Sequence, residues 1–211
     1  MKQAAKNDPQ SRPPGRPRSE RAHRAILQAA NELLENEGFA AVTVEAIAER
    51  AGVSKATIYR WWPNRAAVVM DGFLSIVSSE VPFPHTGHAR EDIRIHMRRL
   101  TEAFSGNLGR TVAALIAEGQ ADPELAEALR SRWLSVRRKE AREILELGIE
   151  RSELRADLDP EVAVDVLYGP IYYRMLVGHA PLDEDFADTL ADHVFAGLRA
   201  QDPARAREVG R

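Results

Sequence analysis

Apolar residues recur at helical spacing along most of the chain. In the first segment they follow the i, i+4, i+7, i+8, i+11 rhythm of one helix face. These positions are Ala22, Ile26, Ala29, Ala30 and Leu33. Ser19 is placed to cap the start of this helix and Gly38 to end it. Since no segment alternates with strand period for long, the pattern predicts an all-α fold of about nine helices.

Composition along the chain predicts four parts. Residues 1–18 are polar and proline-rich, with basic residues opposed by Asp8 alone, and cannot bury enough apolar surface to fold by themselves. They predict a disordered basic arm. A helix-turn-helix domain is then expected over residues 19–66, a regulatory and dimerisation domain over residues 67–201, and a polar tail over residues 202–211.

Two later helices share a start signal, Asp122-Pro123-Glu124 and Asp159-Pro160-Glu161. In each, the aspartate can cap the helix, the proline suits the first helical position, and the glutamate suits the positive end of the helix dipole. The helix from Pro160 should be kinked by Gly169-Pro170, because proline removes one intrahelical hydrogen bond.

The segment that carries the function runs from Thr43 to Trp61. Thr43 is predicted to cap a short helix, Gly52 tolerates the positive φ that a tight turn requires, and Ser54 is predicted to cap a third helix through Trp61 or Trp62. The pattern is that of a helix-turn-helix whose second helix turns basic and hydroxyl side chains outward, where they can meet phosphates.

Over residues 20–70 the sequence resembles TetR-type transcriptional regulators. The resemblance rests on Gly38-Phe39, Thr43-Val44-Glu45-Ala46-Ile47-Ala48, Ala51-Gly52-Val53-Ser54, Thr57-Ile58-Tyr59 and Pro63-Asn64-Arg65-Ala66-Ala67-Val68. It implies an all-helical regulatory domain behind the helix-turn-helix, a dimer formed by the last two helices, and a ligand pocket coupled to DNA binding.

The exposed pattern and the resemblance together give a set of candidate DNA contacts. They are Thr43, Ser54, Lys55, Ala56, Thr57, Tyr59, Arg60, Trp61 and Arg65. Glu45 falls where some members of the family place a base-reading arginine; it could accept from cytosine but would also repel phosphates. In the arm, Pro14-Gly15-Arg16-Pro17-Arg18 is similar to the core of an AT-hook, so Arg16 and Arg18 either enter the minor groove or tether the protein nonspecifically.

Two further sets of candidates lie in the rear of the chain. The expected dimer face comprises Val162, Val166, Gly169, Phe186, Leu190, Val194 and Leu198; the alternative is that these residues close the core of the monomer. The candidate pocket residues are Phe73, Met97, Leu100, Phe104, Trp133, Tyr172 and Met175, although helical spacing favours ordinary core over pocket for each of them.

Net charge alone would argue against a nucleic-acid partner, since it is −3 for 211 residues. Residues 1–70, however, carry 11 Lys+Arg and 7 Asp+Glu, while residues 71–211 carry 18 and 25. Residues 1–70 therefore carry a net charge of +4 and residues 71–211 a net charge of −7, so the predicted DNA-binding end is the one that attracts phosphates.

Several functional classes find no support in the sequence. There is no cysteine, no nucleophile elbow, no phosphate loop and no paired catalytic carboxylate, and the histidines are too irregularly placed for a metal site. We therefore expect neither an enzyme, nor a metal, nor a cofactor. Without a membrane-length apolar run or a secretory leader, the expected location is the cytoplasm and no membrane partner is expected.

The sequence thus predicts a DNA-binding transcriptional regulator that binds a palindromic operator in double-stranded DNA as a homodimer. It would act as a repressor released by a small-molecule effector. Two alternatives stay open. One is a small-molecule-binding or catalytic helical protein with a vestigial helix-turn-helix. The other is a constitutive or activating DNA binder without an effector, which a fully packed rear core would favour.

Overall fold

The computed structural model describes residues 16–198, without the side chains of residues 16–19 and 78–80. Within that range every regular element is helical, which confirms the predicted all-α class. Most of the predicted arm and the whole predicted tail, residues 202–211, lie outside the described residues.

The front of the molecule is built from three helices: α1 (Arg16–Glu37), α2 (Val44–Ala51) and α3 (Lys55–Tyr59). A single 3₁₀ turn (Phe39–Ala41) joins the first two. We call α1–α3 the reading head. Its core is closed by Ile26, Ile47 and Ile58, all with no exposed surface.

The rear of the described chain is formed by eight more helical stretches. They are α4 (Arg65–Glu80), α5 (Ala89–Ser105), α6 (Asn107–Gly119), α7 (Pro123–Leu129), a π segment (Arg130–Leu134), α8 (Ser135–Glu150), α9 (Pro160–Val177) and α10 (Glu184–Leu198), with the π segment joining α7 to α8. If α7, the π segment and α8 are counted as one continuous helix, the described chain has the nine helices predicted. α4 contacts both α1 and α7, so it connects the reading head to the rear body.

Both predicted Asp-Pro-Glu starts are observed. The Asp122 carboxylate accepts from the backbone N–H groups of Glu124 and Leu125 at 3.1 Å, and Asp159 accepts from those of Glu161 and Val162 at 2.9 and 3.3 Å. These contacts satisfy amide groups that the first turn of a helix leaves without partners.

Two predicted boundaries were wrong. α1 begins at Arg16, before Ser19, so the backbone of Arg16 and Arg18 belongs to a helix and not to the arm. α3 ends at Tyr59 and leaves Trp61 and Trp62 in the following turn. Helix propensity does not fix an end to better than a residue or two where neighbouring elements supply the packing.

The helix predicted from Pro160 runs unbroken to Val177 with Pro170 inside it. Across residues 16–198 no helix combines the length and the apolar character needed to cross a membrane.

Candidate DNA-binding surface and regulatory cavity

The turn between α2 and α3 is held by backbone geometry that only a few residue types tolerate. Gly52 adopts φ 64° and ψ 37°, the left-handed region, and its amide donates to the Glu49 carbonyl at 3.2 Å. A side chain at this position would be strained, which explains why glycine ends α2. The next amide, that of Val53, donates to Ala48 at 3.0 Å and completes the tight crossing of the two helices.

The hydroxyl groups at the two helix starts are used inside the protein. Thr43 Oγ1 accepts from the Ala46 amide at 3.1 Å, and Ser54 Oγ accepts from the Thr57 amide at 3.3 Å while contacting Thr57 Oγ1 at 2.9 Å. The predicted caps at Thr43 and Ser54 are therefore confirmed. Because a hydroxyl can donate while it accepts, Thr43 keeps its hydrogen for a phosphate oxygen, and the Ser54–Thr57 pair keeps one of its two.

The outward face of α3 and the turn after it present most of the remaining predicted contact residues. Tyr59 and Trp61 are 54% and 44% exposed, large values for aromatic side chains. Lys55, Ala56 and Arg60 are exposed as well, whereas Thr57 is half-buried. Exposed aromatic and basic groups on one helix make a surface that can hydrogen-bond to and neutralise a phosphate backbone.

Lys55 does not stand alone on this surface. Its Nζ donates to Glu45 Oε1 at 2.9 Å, and both side chains are exposed. This hydrogen bond lowers the pKa of the Glu45 carboxyl and raises the pKa of the Lys55 ammonium, so the pair is ionised at neutral pH. The sequence placed both residues near DNA but did not predict that they pair with each other.

Arg65, a predicted phosphate contact, lies where the reading head meets the rear body. Its guanidinium stacks over the Phe39 ring at 4.2 Å from the centroid and lies 3.9 Å from the Asp122 carboxylate. Beside it, Asn64 Nδ2 donates to Glu124 Oε2 at 2.6 Å. These contacts tie the start of α4 to the start of α7.

A second connection is made by Asp71 of α4. One of its carboxylate oxygens accepts from Trp62 Nε1 at 2.6 Å, and the other accepts from Arg132 in the π segment. Trp62 follows α3 directly, is 3% exposed and stacks on His23 of α1 at 4.8 Å between ring centroids. We call Arg132–Asp71–Trp62 the polar bridge; it joins the π segment to the end of α3.

The rear body contains a cavity of about 500 Å³. Helices α4 to α9, the loop at Phe83 and the π segment all contribute to its wall. The lining residues are Val77, Val81, Phe83, His96, Leu100, Ile116, Gly119, Gln120, Ala126, Leu129, Arg130, Trp133, Leu134, Arg137, Arg138, Val164, Asp165, Tyr168, Gly169 and Tyr172.

Three of the seven predicted pocket residues, Leu100, Trp133 and Tyr172, line this cavity. The other four do not. Phe73, Met97 and Phe104 are buried in the surrounding core, and Met175 packs against it. Helical spacing marks the inward face of a helix but not which inward side chains meet a partner and which face open space.

The aromatic groups of the wall are held in fixed positions. His96 stacks on Phe83 with 3.5 Å between ring centroids, and its Nδ1 lies 2.9 Å from the Tyr168 hydroxyl. Burial lowers the pKa of His96 to about 3, with the charges of Arg137 and Arg99 acting in the same direction and the Val81 carbonyl opposing. His96 is therefore neutral at physiological pH.

The exposed side of α9 carries an apolar stripe that the core does not use. We call Val162, Val166, Gly169, Tyr173 and Leu176 the apolar stripe; its four side chains are between 47% and 59% exposed. A Cβ placed on Gly169 would meet no atom within 4 Å. Tyr173 and Leu176 were not among the predicted dimer residues, although they continue the same i+3 and i+4 spacing.

The predicted dimer residues of α10 behave differently from those of α9. Phe186, Leu190, Val194 and Leu198 are half-buried and pack against the core, so much of their apolar surface is already covered within the chain. Phe186 also lies under the Arg174 guanidinium at 3.6 Å.

Two short helices joined by a tight turn at a glycine, with basic side chains exposed at the second helix, define the class of helix-turn-helix DNA-binding proteins. Comparison with known proteins agrees. Residues 26–70 match the family of bacterial regulatory proteins, tetR family, and residues 83–194 match the tetracyclin repressor-like C-terminal domain.

Three similar proteins extend the match to nearly the whole chain. The uncharacterized HTH-type transcriptional regulator YdeS of Bacillus subtilis (strain 168) is 47% identical over 186 residues, covering 88% of this chain and 94% of YdeS. The DNA-binding transcriptional repressor TetR of Mycobacteroides abscessus is 28% identical over 86% of this chain and 95% of its own. The crystal structure of the TetR family transcription regulator SCO0332 superposes with a TM-score of 0.72 at 36% identity, covering 84% of this chain and 98% of that one. The chain belongs to the TetR family of helix-turn-helix transcriptional regulators and is not an enzyme.

Proposed function

We propose that the protein is a homodimeric repressor that binds a palindromic operator and is released by a small molecule bound in the rear cavity. The observation that carries this proposal is the polar bridge, since it links a wall of the cavity to the end of the DNA-binding helix α3. Arg132 is the sequence neighbour of Trp133, which lines the cavity, and Asp71 joins Arg132 to Trp62.

On DNA, α3 would lie in the major groove with its exposed face toward the bases. Lys55 and Ala56 are the candidates for base contacts, since an ammonium can donate to guanine and a methyl group can touch thymine. Thr43, Ser54, Tyr59, Arg60 and Trp61 would hold phosphates through hydroxyl, guanidinium and indole donors. This arrangement fixes the register of α3 along the groove.

One reading head contacts only a few base pairs, so specific recognition of an operator requires two reading heads. Two-fold symmetry would place half-sites about 34–36 Å apart, or a multiple of that distance. The apolar stripe supports such a dimer because it is exposed and regular and the described core does not cover it. The ring contact described for it joins Tyr173 to His179 at 4.9 Å between centroids. We propose residues 19–66 as the DNA-binding domain and residues 67–201 as the regulatory and dimerisation domain.

Ligand release would follow from a shift between two arrangements of the rear body. A ligand that binds better when the π segment has moved would pull Arg132 and Asp71 with it, and so reposition Trp62 and α3. The cavity of about 500 Å³ favours this ligand-responsive version over a constitutive DNA binder, which needs no such space. The repressor assignment follows the named activity of the relative from Mycobacteroides abscessus.

The test is an electrophoretic mobility shift with the DNA upstream of the protein's own gene, at moderate salt. We expect a discrete complex that requires a palindrome, contains two protomers and is lost when one half-site is scrambled. A Lys55→Ala, Arg60→Ala variant should lose most of the affinity, while Lys139→Ala, an exposed lysine on α8, should not. If no palindrome-dependent complex forms, the vestigial helix-turn-helix alternative is favoured.

A further inference from the structure

The cavity is largely apolar, and the polar groups on its wall are not an even mixture of hydrogen-bond donors and acceptors. Aliphatic and aromatic side chains form most of the wall, and the space of about 500 Å³ is of the size that holds drug-sized molecules. Trp133 is one of the wall side chains, and its Nε1 is buried without a hydrogen-bond partner. An indole N–H is a donor only, so an unpaired indole in the wall favours a molecule that carries acceptors.

The charged residues of the wall point to the same chemistry. Three arginines line the cavity, with Asp165 as the one carboxylate among the lining residues. Asp165 is already engaged by Arg138, which also contacts Glu161 at 2.7 Å, and Arg130 pairs with Glu127 at 2.9 Å.

Arg137 differs from the other two arginines. It is the least exposed of the three, with 23% of its side chain accessible against 36% for Arg138 and 61% for Arg130. Its ion pair is with Glu140, one turn along the same helix at 3.0 Å. Its charge helps to lower the pKa of His96 and opposes the rise that burial causes in the pKa of Tyr172, so its field reaches two side chains of the cavity wall.

We propose that the cavity selects a weakly acidic, largely apolar molecule whose carboxylate is held by Arg137. This rests on the proposed ligand-responsive function and specifies the chemical class of its ligand. A guanidinium suits a carboxylate because its N–H groups form a planar fork that matches the two oxygens, and such charge-assisted hydrogen bonds are stronger than neutral ones. A cationic molecule would instead meet the like charge of Arg137 in a site of reduced solvent access.

The experiment compares three probes of one shape on the full-length protein at pH 7.4 by isothermal titration calorimetry. The probes are 2-naphthoic acid, the neutral 2-naphthamide and the cationic 2-naphthylmethylamine. We expect the acid to bind about tenfold more tightly than the amide and the amine to bind most weakly, tenfold being the factor that one charge-assisted contact of about 1.4 kcal/mol gives.

Variants at the wall arginines then assign the preference to one residue. Arg137→Gln should weaken binding of the acid about tenfold and leave that of the amide within twofold. Arg137→Lys should keep part of the preference for the acid, because it retains the charge without the fork. Lys139→Gln is the matched control, because it removes the same charge from the same helix at a residue that is 65% exposed and does not line the cavity, and it should behave as the unmodified protein. Thermal unfolding of each variant verifies that the fold is retained.

Some results would overturn the proposal. These are binding of the amide or the amine as tight as that of the acid, an unchanged preference in Arg137→Gln, or no binding of any probe up to its solubility limit. The mobility shift separates this proposal from the proposed function. If a neutral or cationic compound releases the operator while acids do not, the regulator assignment stands and the ligand class is wrong. If the acid binds through Arg137 but no palindrome is bound, the ligand class stands and the regulator assignment fails.

Discussion

Lys55 is the clearest case in which one side chain of the reading head has two competing partners. In the free protein its ammonium is held by Glu45 at 2.9 Å, and on DNA the same ammonium would be drawn to a base edge or a phosphate. The carboxylate of Glu45 repels any phosphate that Lys55 attracts. Binding is therefore favoured at DNA sites where a hydrogen-bond donor on a base replaces Lys55 as the partner of the Glu45 carboxylate.

We therefore predict that Glu45→Gln makes DNA binding less selective. With the carboxylate gone, Lys55 is free for a phosphate on any sequence, so affinity for unrelated DNA should rise severalfold. The slope of log K against log salt should steepen by about one phosphate contact, roughly 0.9. Fluorescence anisotropy at several salt concentrations measures both quantities. Glu49→Gln removes the same charge from the same helix but not from the ion pair, and should leave the slope unchanged; an equal change in both variants would contradict the pairing argument.

His96 makes a second residue-scale prediction, which concerns stability and pH. Its pKa is lowered by burial to about 3 in the folded protein, against an ordinary value of 6.5. The unfolded chain therefore takes up a proton first as pH falls, and the stability present above pH 6.5 is lost progressively toward pH 3. Between pH 7 and pH 5 this single group should lower the free energy of unfolding by about 2 kcal/mol.

Urea unfolding of His96→Leu and of the unmodified protein at the two pH values isolates that contribution. The variant should lose about 2 kcal/mol less between pH 7 and pH 5, whatever its stability at pH 7. His85→Leu, at an exposed loop position, should keep the unmodified pH dependence. An identical loss in His96→Leu and the unmodified protein would mean that His96 is not buried in its neutral form.

At the scale of the elements, the π segment contributes both to the cavity wall and to a contact with α4. A single π turn inside an α-helix shifts the side chains that follow it around the axis, and such turns occur often at functional sites. Here it directs Trp133 to the cavity wall and Arg132 to Asp71 of α4. α4 in turn begins beside the reading head, where Arg65 and Asn64 contact the start of α7.

We predict that disturbing the polar bridge weakens operator binding although its arginine lies in the rear body. Asp71→Asn leaves Arg132 without its carboxylate and loosens Trp62, so operator affinity should fall about three- to tenfold, and Arg132→Gln should have a similar effect. The double variant should be little worse than either single one, because residues in one network are not additive. Arg130→Gln, a neighbour whose observed ion pair lies within its own helix, serves as the control. Additive losses, or no loss in Arg132→Gln, would show that the bridge does not support α3.

At the scale of the whole molecule, the apolar stripe of α9 is an exposed apolar feature that the described core does not cover. The stripe presents a continuous apolar surface made by Val162, Val166, Tyr173 and Leu176. Gly169 leaves room for another helix to approach closely. Surfaces of this kind commonly mark interfaces, and a two-fold axis through such a stripe would set the same residues of both protomers against each other.

Val166→Arg tests this arrangement. If the stripe is the dimer face, the substitution places charges of the same sign across the two-fold axis, and light scattering coupled to size-exclusion chromatography should find a monomer at micromolar concentration. Operator affinity should fall with it, because the second reading head is lost. Val136→Arg is a matched control, since Val136 is 48% exposed and Val166 is 47% exposed, but it lies on α8 outside the stripe. A dimer that survives in Val166→Arg would place the interface elsewhere.

Local rules account for most of what the sequence predicted. The residues that cap helices as expected are Thr43, Ser54, Asp122 and Asp159, because capping depends on one side chain and the two or three amides next to it. The all-α class follows from apolar spacing, which is also a local property. Likewise, the glycine at position 52 is explained by the backbone conformation of its own turn.

Other features depend on residues far apart in the chain and were decided by the tertiary structure alone. Leu100, Trp133 and Tyr172 line the cavity while Phe104 and Met97, on the same inward faces, are packed core, because a void exists only where several helices fail to meet. The polar bridge joins residues 62, 71 and 132, and no spacing rule relates Arg132 to an aspartate 61 positions earlier. The sequence by itself thus determined the helices and the face that we propose meets DNA, through short-range backbone and side-chain rules. Only the packing of those helices decided where a ligand could bind and which contacts could transmit its presence.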